Sequence, residues 1–213
     1  MRYKAILFDM DGTLLDTLTD MADAVNHILS VHGWPLRTTE EVRAFVGNGA
    51  RRLMERAVPP EVTGGDFEAV LTEYRDWYQA HNCVATAPYP GIPALLAALA
   101  EAGVKTAVVS NKPDATTKTL AARFFPGLSA FGQRDDVPPK PAPDLVFRAL
   151  ETLGVDAAGA VYVGDSEVDV ATARNAGLPL AAVSWGFRGR RALAEAGASV
   201  IVDTAAELLE VLR

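Results

Sequence analysis

Short apolar runs, several rich in β-branched residues, alternate with longer helical patterns along most of this 213-residue chain. That rhythm leaves few folds open. Parallel strands need a crossover long enough to be a helix, so repeated strand–helix units build a parallel sheet covered by helices. The spacing predicts strands over 3–8, 105–110, 160–164, 180–184 and 199–202. Helices are expected over 92–101, 113–123, 143–153, 166–176, 190–195 and 204–212. Thr204 with Glu207 reads as a capping box, and Gly103, Gly154 and Gly177 stand where helix ends need a left-handed residue. The fold class is therefore α/β.

Residues 16–87 break the rhythm. They hold helical patterns over 16–31, 39–46, 50–57 and 66–81 but no convincing strand. Turns at Gly33-Trp34-Pro35, Gly47-Asn48-Gly49 and Pro59-Pro60 separate them. The stretch reads as an all-helical insert, and Pro88-Tyr89-Pro90-Gly91 returns the chain to the sheet pattern.

Composition narrows the function classes. Hydrophobic residues make up 49% and charged ones 22%, enough apolar surface for a real core. Twenty Lys plus Arg against 27 Asp plus Glu give a formal charge of −7, the wrong sign for gripping a nucleic-acid backbone. The single Cys83 excludes an intramolecular disulfide and a multi-cysteine zinc site, which suits a reducing compartment such as the cytoplasm. Arg2 and Lys4 ahead of Ala5-Ile6-Leu7-Phe8 imitate the start of a signal peptide, but Asp9 and Asp11 interrupt the apolar run. No segment approaches the roughly 18 apolar residues of a membrane helix, so no membrane partner is expected.

Four short motifs carry chemistry, each at a predicted strand end or in a loop. Asp9-Met10-Asp11-Gly12-Thr13-Leu14 follows the first strand, where open parallel sheets place their binding crevices. In extended backbone Asp9 and Asp11 point the same way, and two close carboxylates call for a hard cation such as Mg2+. A plain Asp-Gly turn with Asp9 on the surface is the alternative. Ser110-Asn111-Lys112 after the second strand offers a hydroxyl, an amide and helix N–H groups to a phosphate, or ordinary loop and cap chemistry. Lys140 sits among closely spaced prolines, as a phosphate ligand or a solvated cation. Gly164-Asp165-Ser166-Glu167-Val168-Asp169 ends an apolar strand and opens a helix. Ser166 and Asp169 fit a capping box there, and Asp165 offers a third carboxylate to the cation.

In this order the motifs resemble the haloacid dehalogenase superfamily, whose pattern is Asp-x-Asp-Gly-Thr, then Ser or Thr, then Lys, then Gly-Asp-x-x-x-Asp. The match falls on positions 9–13, 110, 140 and 164–169. The resemblance implies a Rossmann-like parallel-sheet core at 1–15 and 88–213 and an all-helical cap domain at 16–87. It further implies Asp9 as the nucleophile that becomes an aspartyl-phosphate, Asp11 as acid and base, and Lys140 as the catalytic cation. Asp9, Asp11 (through its backbone carbonyl) and Asp165 would hold Mg2+, with Ser166 and Asp169 behind them. Gly12, Thr13, Ser110, Asn111 and Lys140 would lie at the phosphate. An aspartate at position 11 is similar to the family's phosphatases and phosphomutases rather than its dehalogenases.

Val46-Gly47-Asn48-Gly49-Ala50, Pro88-Tyr89-Pro90-Gly91 and Trp185-Gly186-Phe187-Arg188 resemble the phosphoglycolate phosphatase subgroup. The implied activity is hydrolysis of a small phosphorylated metabolite, with 2-phosphoglycolate the first candidate, by a monomer or homodimer. A β-phosphoglucomutase-like phosphosugar mutase and a non-catalytic ligand-sensing module are the competing readings. In the insert, Gly47 and Gly49 would let backbone approach a ligand, Asn48 would donate and accept, and Arg52 or Arg51 would read a substrate carboxylate. A simple turn with solvated arginines fits the same residues. His27, His32 and His81 are too scattered for a local metal motif, and Trp34, Trp77, Tyr74 and Tyr78 read as packing residues.

Overall fold

The computed structural model describes residues 1–213, which divide into two compact units, Met1–Asp16 with Pro88–Arg213, and Thr17–Ala87. The first unit is an α/β sheet domain. Its strands are β1 (Ala5–Phe8), β4 (Lys105–Pro113), β5 (Ser129–Gln133), β6 (Ala160–Gly164), β7 (Leu180–Val183) and β8 (Ile201–Val202). They form one sheet in the order β5-β4-β1-β6-β7-β8, with every pair parallel. The chain builds outward from β1 through β4 to β5, then returns to the other side of β1 with β6. The C-terminal end of β1 is therefore a topological switch point, where helices on either side diverge and leave a crevice.

All four β1 residues are buried, and Leu7 lies between Ala107 of β4 and Tyr162 of β6. The crossovers are α5 (Ile92–Glu101), α6 (Asp114–Phe124), α7 (Asp144–Leu153), α8 (Glu167–Ala176) and α9 (Gly189–Glu195), with α10 (Ala205–Leu212) closing the chain. Leu145, Val146, Ala149 and Leu150 of α7 bury one side of that helix against Leu7, Val109 and Tyr162 of the sheet. The spacing of those four residues is that of a helix face.

Several local signals act as the sequence implies. Gly154 and Gly177 end α7 and α8 with φ of 61° and 68°, and Gly103 after α5 has φ 72°. Ser166 and Asp169 form a complete capping box. Thr204 accepts the N–H of Glu207, but the Glu207 carboxylate takes the N–H of Asp203 instead of reaching back to Thr204, so that cap is half a box. The strand that sequence reasoning misses is β5: Ser-Ala-Phe-Gly-Gln has no β-branched residue, and it sits at the sheet edge where only one neighbour is needed. Two-residue strands β2 (Leu15–Asp16) and β3 (Ala87–Pro88) pair with each other where the chain passes out of and back into the sheet unit.

The second unit is helical: α1 (Leu18–Val31), α2 (Thr39–Phe45), α3 (Gly49–Ala57) and α4 (Gly64–His81). Met21, Val25, Ile28 and Leu29 of α1 and Phe67, Val70, Leu71, Tyr74 and Tyr78 of α4 are buried at helical spacing. Thr38 and Glu41 make a full capping box at the start of α2. Trp77 is sandwiched between His27 and His81, with ring centroids 4.6 and 4.0 Å away, and His32 stacks on Trp34 at 4.5 Å, so all three histidines serve stacking.

One buried charge ties this unit's ends together. The Asp20 carboxylate accepts the backbone N–H groups of Val84, Ala85 and Thr86 at 3.1, 2.8 and 2.9 Å. Asp20 and Thr86 are buried, while Val84 and Ala85 lie at the surface. Asp20→Ala is expected to destabilise the protein by about 1–3 kcal/mol, through the loss of three hydrogen bonds to one carboxylate and the stranding of the Thr86 N–H. Thermal unfolding reads this as a midpoint several degrees lower, and an unchanged midpoint would refute it.

Candidate active site

The first three motifs and the fourth converge at the C-terminal end of the sheet. Asp9 and Asp11 follow β1, Ser110 and Asn111 lie in the C-terminal part of β4, Lys140 lies in the loop between β5 and α7, and Asp165 follows β6. Adjacent parallel strands whose registers run in step bring their following residues to one edge.

Lys140 is the centre of the cluster. Its ammonium stands 2.9 Å from Asp9 Oδ1, 2.9 Å from Asp169 Oδ1 and 3.0 Å from the Tyr162 hydroxyl, with only 2% of its side chain exposed. Burial opposes its charge, but the Asp169 and Asp9 carboxylates outweigh that, and its pKa lies well above the usual lysine value. Asn111 holds the lysine's backbone from both sides: its amide carbonyl accepts the Lys140 N–H at 2.7 Å, and its NH2 donates to the Lys140 carbonyl at 3.0 Å. This commits the Asn111 side chain to Lys140, where the sequence suggests a phosphate ligand.

The three carboxylates of Asp9, Asp165 and Asp169 are buried, with oxygens within 4.8 Å of one another. Burial raises the Asp9 pKa from its ordinary value to about 7; Lys140 opposes that rise, and Asp169 and Asp11 add to it. Burial together with Asp169 and Asp9 pushes Asp165 well above the carboxylate range. Three acids thus face one lysine, and the excess negative charge suits a hard divalent cation bound by oxygen. Both oxygens of Asp169 are engaged, Oδ1 by Lys140 and Tyr162 and Oδ2 by the Ser166 N–H and hydroxyl. Asp9 and Asp165 are the better direct ligands.

The Asp11 side chain lies outside this group of three carboxylates, which leaves open its expected role as a metal ligand through the backbone carbonyl. Its Oδ1 pairs with Lys112 Nζ at 3.1 Å, and Asp169 takes the third place. The reason is local. The turn after β1 returns on itself, with Gly12 at φ 82° donating to the Leu15 carbonyl and Leu14 and Leu15 donating to the Met10 carbonyl. Asp11 consequently does not continue the strand alternation that would align it with Asp9.

Asp165 is held by a cradle. Its Oδ2 accepts the Phe187 N–H at 2.7 Å, and its Oδ1 accepts the Thr13 hydroxyl at 3.3 Å. A Cβ at Gly12 would overlap the Asp165 carboxylate, one at Gly186 would overlap Asp165 and the Gly12 carbonyl, and one at Gly164 would overlap Asp169. Trp185 braces the same turn by donating its indole N–H to the Thr13 carbonyl at 3.1 Å. The Ser110 hydroxyl is buried and accepts the Lys112 N–H at 3.2 Å.

Gly47, Asn48, Gly49 and Arg52 belong to the helical unit. Gly47 and Gly49 have φ of 117° and 82°, making the sharp turn into α3. Asn48 Oδ1 accepts from Arg56 at 3.3 Å, and Arg56 also donates to the Phe45 carbonyl at 2.7 Å, so Arg56 fixes this turn. Arg52 pairs with Glu55 at 2.6 Å, and Arg51 makes a two-pronged pair with Glu68. Lys112, Tyr162 and the Phe187 N–H escaped sequence reasoning as site members. Lys112 had its motif neighbours as a signal, whereas Tyr162 looked like strand filling and a backbone donor has no residue signature.

Chemically, Met10 N–H at 2.7 Å and Lys140 both act on Asp9 Oδ1, which leaves its second oxygen carrying neither bond. A carboxylate so held, beside a second acid and a candidate cation site, is equipped for nucleophilic substitution at an electrophile with anionic oxygens.

Known proteins resemble this chain over nearly its whole length. The family model described as haloacid dehalogenase-like hydrolase matches residues 6–183. The chain is 36% identical to the N-acetylmuramic acid 6-phosphate phosphatase of Pseudomonas aeruginosa, over 100% of this chain and 96% of that one. It is 38% identical to a phosphoglycolate phosphatase of Cupriavidus necator, over 94% of this chain and 89% of that one. Among solved structures, a candidate phosphoglycolate phosphatase from Lactobacillus delbrueckii subsp. bulgaricus superposes with a TM-score of 0.94 at 38% identity, covering 100% and 99% of the two chains. With motif, topology and relatives agreeing across nearly the whole length, the chain belongs to the haloacid dehalogenase-like hydrolase family.

Proposed function

We propose that this protein is a Mg2+-dependent phosphomonoesterase that passes the phosphoryl group through Asp9. The observation that carries the reading is the hold on Asp9: Lys140 and the Met10 N–H fix one oxygen within a buried group of three acids. Relatives named as phosphatases support phosphate-ester hydrolysis as the reaction.

Asp9 Oδ2 attacks phosphorus and the ester oxygen leaves, with Asp11 giving it a proton. Asp11 then takes a proton from water as that water attacks phosphorus; the bond from phosphorus to Asp9 Oδ2 breaks, which regenerates the carboxylate and releases inorganic phosphate. Lys140 keeps Asp9 aligned and offsets its charge, while Ser110 and the N–H groups that open α6 face the phosphoryl oxygens. Asp9 and Asp165, with the backbone carbonyl of Asp11, would hold Mg2+, and the Phe187 N–H, Thr13 and Asp169 would orient those ligands. When bound, the cation screens the phosphoryl charge and returns the carboxylates to their ionised form. The helical unit is assigned the role of a cap that excludes water from the first half-reaction and selects the substrate.

The substrate assigned first is 2-phosphoglycolate, on the phosphoglycolate phosphatase relatives. A sugar 6-phosphate is the second reading, favoured by the full-length match to the N-acetylmuramic acid 6-phosphate phosphatase. A panel of phosphorylated metabolites assayed for released phosphate separates the two, and isomerised sugar phosphate exceeding released phosphate would instead identify a mutase.

Asp9→Asn is expected to lower phosphate release from p-nitrophenyl phosphate by at least about 1,000-fold, with an unchanged circular dichroism spectrum. Near-normal turnover by that variant would overturn the nucleophile assignment. Chelation by EDTA is expected to stop turnover, and added Mg2+ to restore it. Gly186→Ala, which crowds Asp165 against backbone, is expected to raise the Mg2+ concentration at half-maximal rate about 10-fold or more. An unaltered Mg2+ titration would refute the role given to that turn.

A further inference from the structure

Tyr162 is fully buried at the middle of β6, two residues before the glycine that ends the strand. It sits in register with Leu7 of β1, on the face where α7 packs. Its ring is core. Its hydroxyl, however, reaches three polar groups: Lys140 Nζ at 3.0 Å, the Val109 carbonyl at 3.1 Å and Asp169 Oδ1 at 3.3 Å. Val109 belongs to β4, on the far side of β1, so the tyrosine side chain spans from β6 across the nucleophile's own strand.

Donor arithmetic fixes the direction of these bonds. An ammonium has three N–H groups and no acceptor. Those of Lys140 meet Asp9, Asp169 and the Tyr162 oxygen, each within 3.0 Å. The tyrosine oxygen therefore accepts from lysine, and its own proton goes to the Val109 carbonyl or to Asp169. The result is a three-point mount for the ammonium, in which the shorter of the two bonds open to the tyrosine proton, 3.1 Å, runs to a backbone carbonyl of β4.

We propose that Tyr162 is a positioning residue that fixes the Lys140 ammonium on Asp9. The inference rests on the reading of Asp9 as nucleophile and Lys140 as its cation. Without the hydroxyl, one lysine N–H has no acceptor and two carboxylates alone set the ammonium's place; they pull it along a line between them and leave it free to swing about that line. Small misplacements at a reacting centre are costly in rate, while substrate binding through other groups is little changed.

The test uses the full chain with Mg2+ and p-nitrophenyl phosphate. Tyr162→Phe is expected to lower kcat about tenfold or more with KM within about twofold, and to speed exchange of the Lys140 ammonium protons with water, read by NMR on 15N-lysine-labelled protein. A purely space-filling tyrosine would leave both unchanged in a folded variant, and a kcat within twofold of the parent overturns the proposal. If Tyr162→Phe does not fold, the unsubstituted protein decides. A protected Lys140 ammonium with a nuclear Overhauser effect to the Tyr162 ring supports the mount, and one exchanging as fast as exposed lysines refutes it. Asp9→Asn run alongside keeps the outcomes apart: its inactivity beside an unaffected Tyr162→Phe sinks only the positioning role, whereas its activity sinks the underlying reading.

Discussion

Everything at the end of this sheet turns on unbalanced charge in a dry place. Three carboxylates face a single ammonium, all of them shielded from water. Such a group is unfavourable unless geometry compensates. Here compensation comes from fixed donors: Asp9 has the Met10 N–H, Asp165 has the Phe187 N–H and the Thr13 hydroxyl, and Asp169 has Ser166. What those donors leave uncompensated is negative charge, which a hard divalent cation can balance. The site is thus stable enough to exist and still electrostatically short of one partner.

Packing enforces this arrangement as firmly as charge does. Gly12, Gly164 and Gly186 each stand where a methyl group would occupy the space of Asp165 or Asp169. At Gly164 and Gly186, which do not have left-handed backbone, glycine is required by proximity alone, while at Gly12 proximity adds to a φ of 82°. The acids are gripped by main chain on several sides, which restricts their rotamers without needing bulky neighbours.

How much of this could be read from the chain itself divides along physical lines. Strands buried on both faces announce themselves as apolar runs, so β1, β4 and β6 and the acids that follow them were legible. The edge strand β5 was not, because one-sided pairing relaxes the demand for β-branched residues. Asp169 was legible as a helix cap and is one, yet the same carboxylate also holds Lys140, and no pattern of neighbours signals a second duty. Asn111 was legible as polar and functional, but which group it would bind depended on the course of a loop 29 residues further on. The partner of Asp11 depended in turn on a compact turn whose hydrogen bonds override strand alternation. Tyr162 lay hidden in an apolar run, since only three dimensions reveal where its hydroxyl ends.

The bond set of Asp20 has a consequence for how such a chain can change over time. By clasping Val84, Ala85 and Thr86, it fastens the first helix of the insert to its last residues. The insert is thereby a closed module whose two termini stay side by side by its own means. A module of that kind can be lengthened or remodelled as a cassette without disturbing the strands that carry the buried acids.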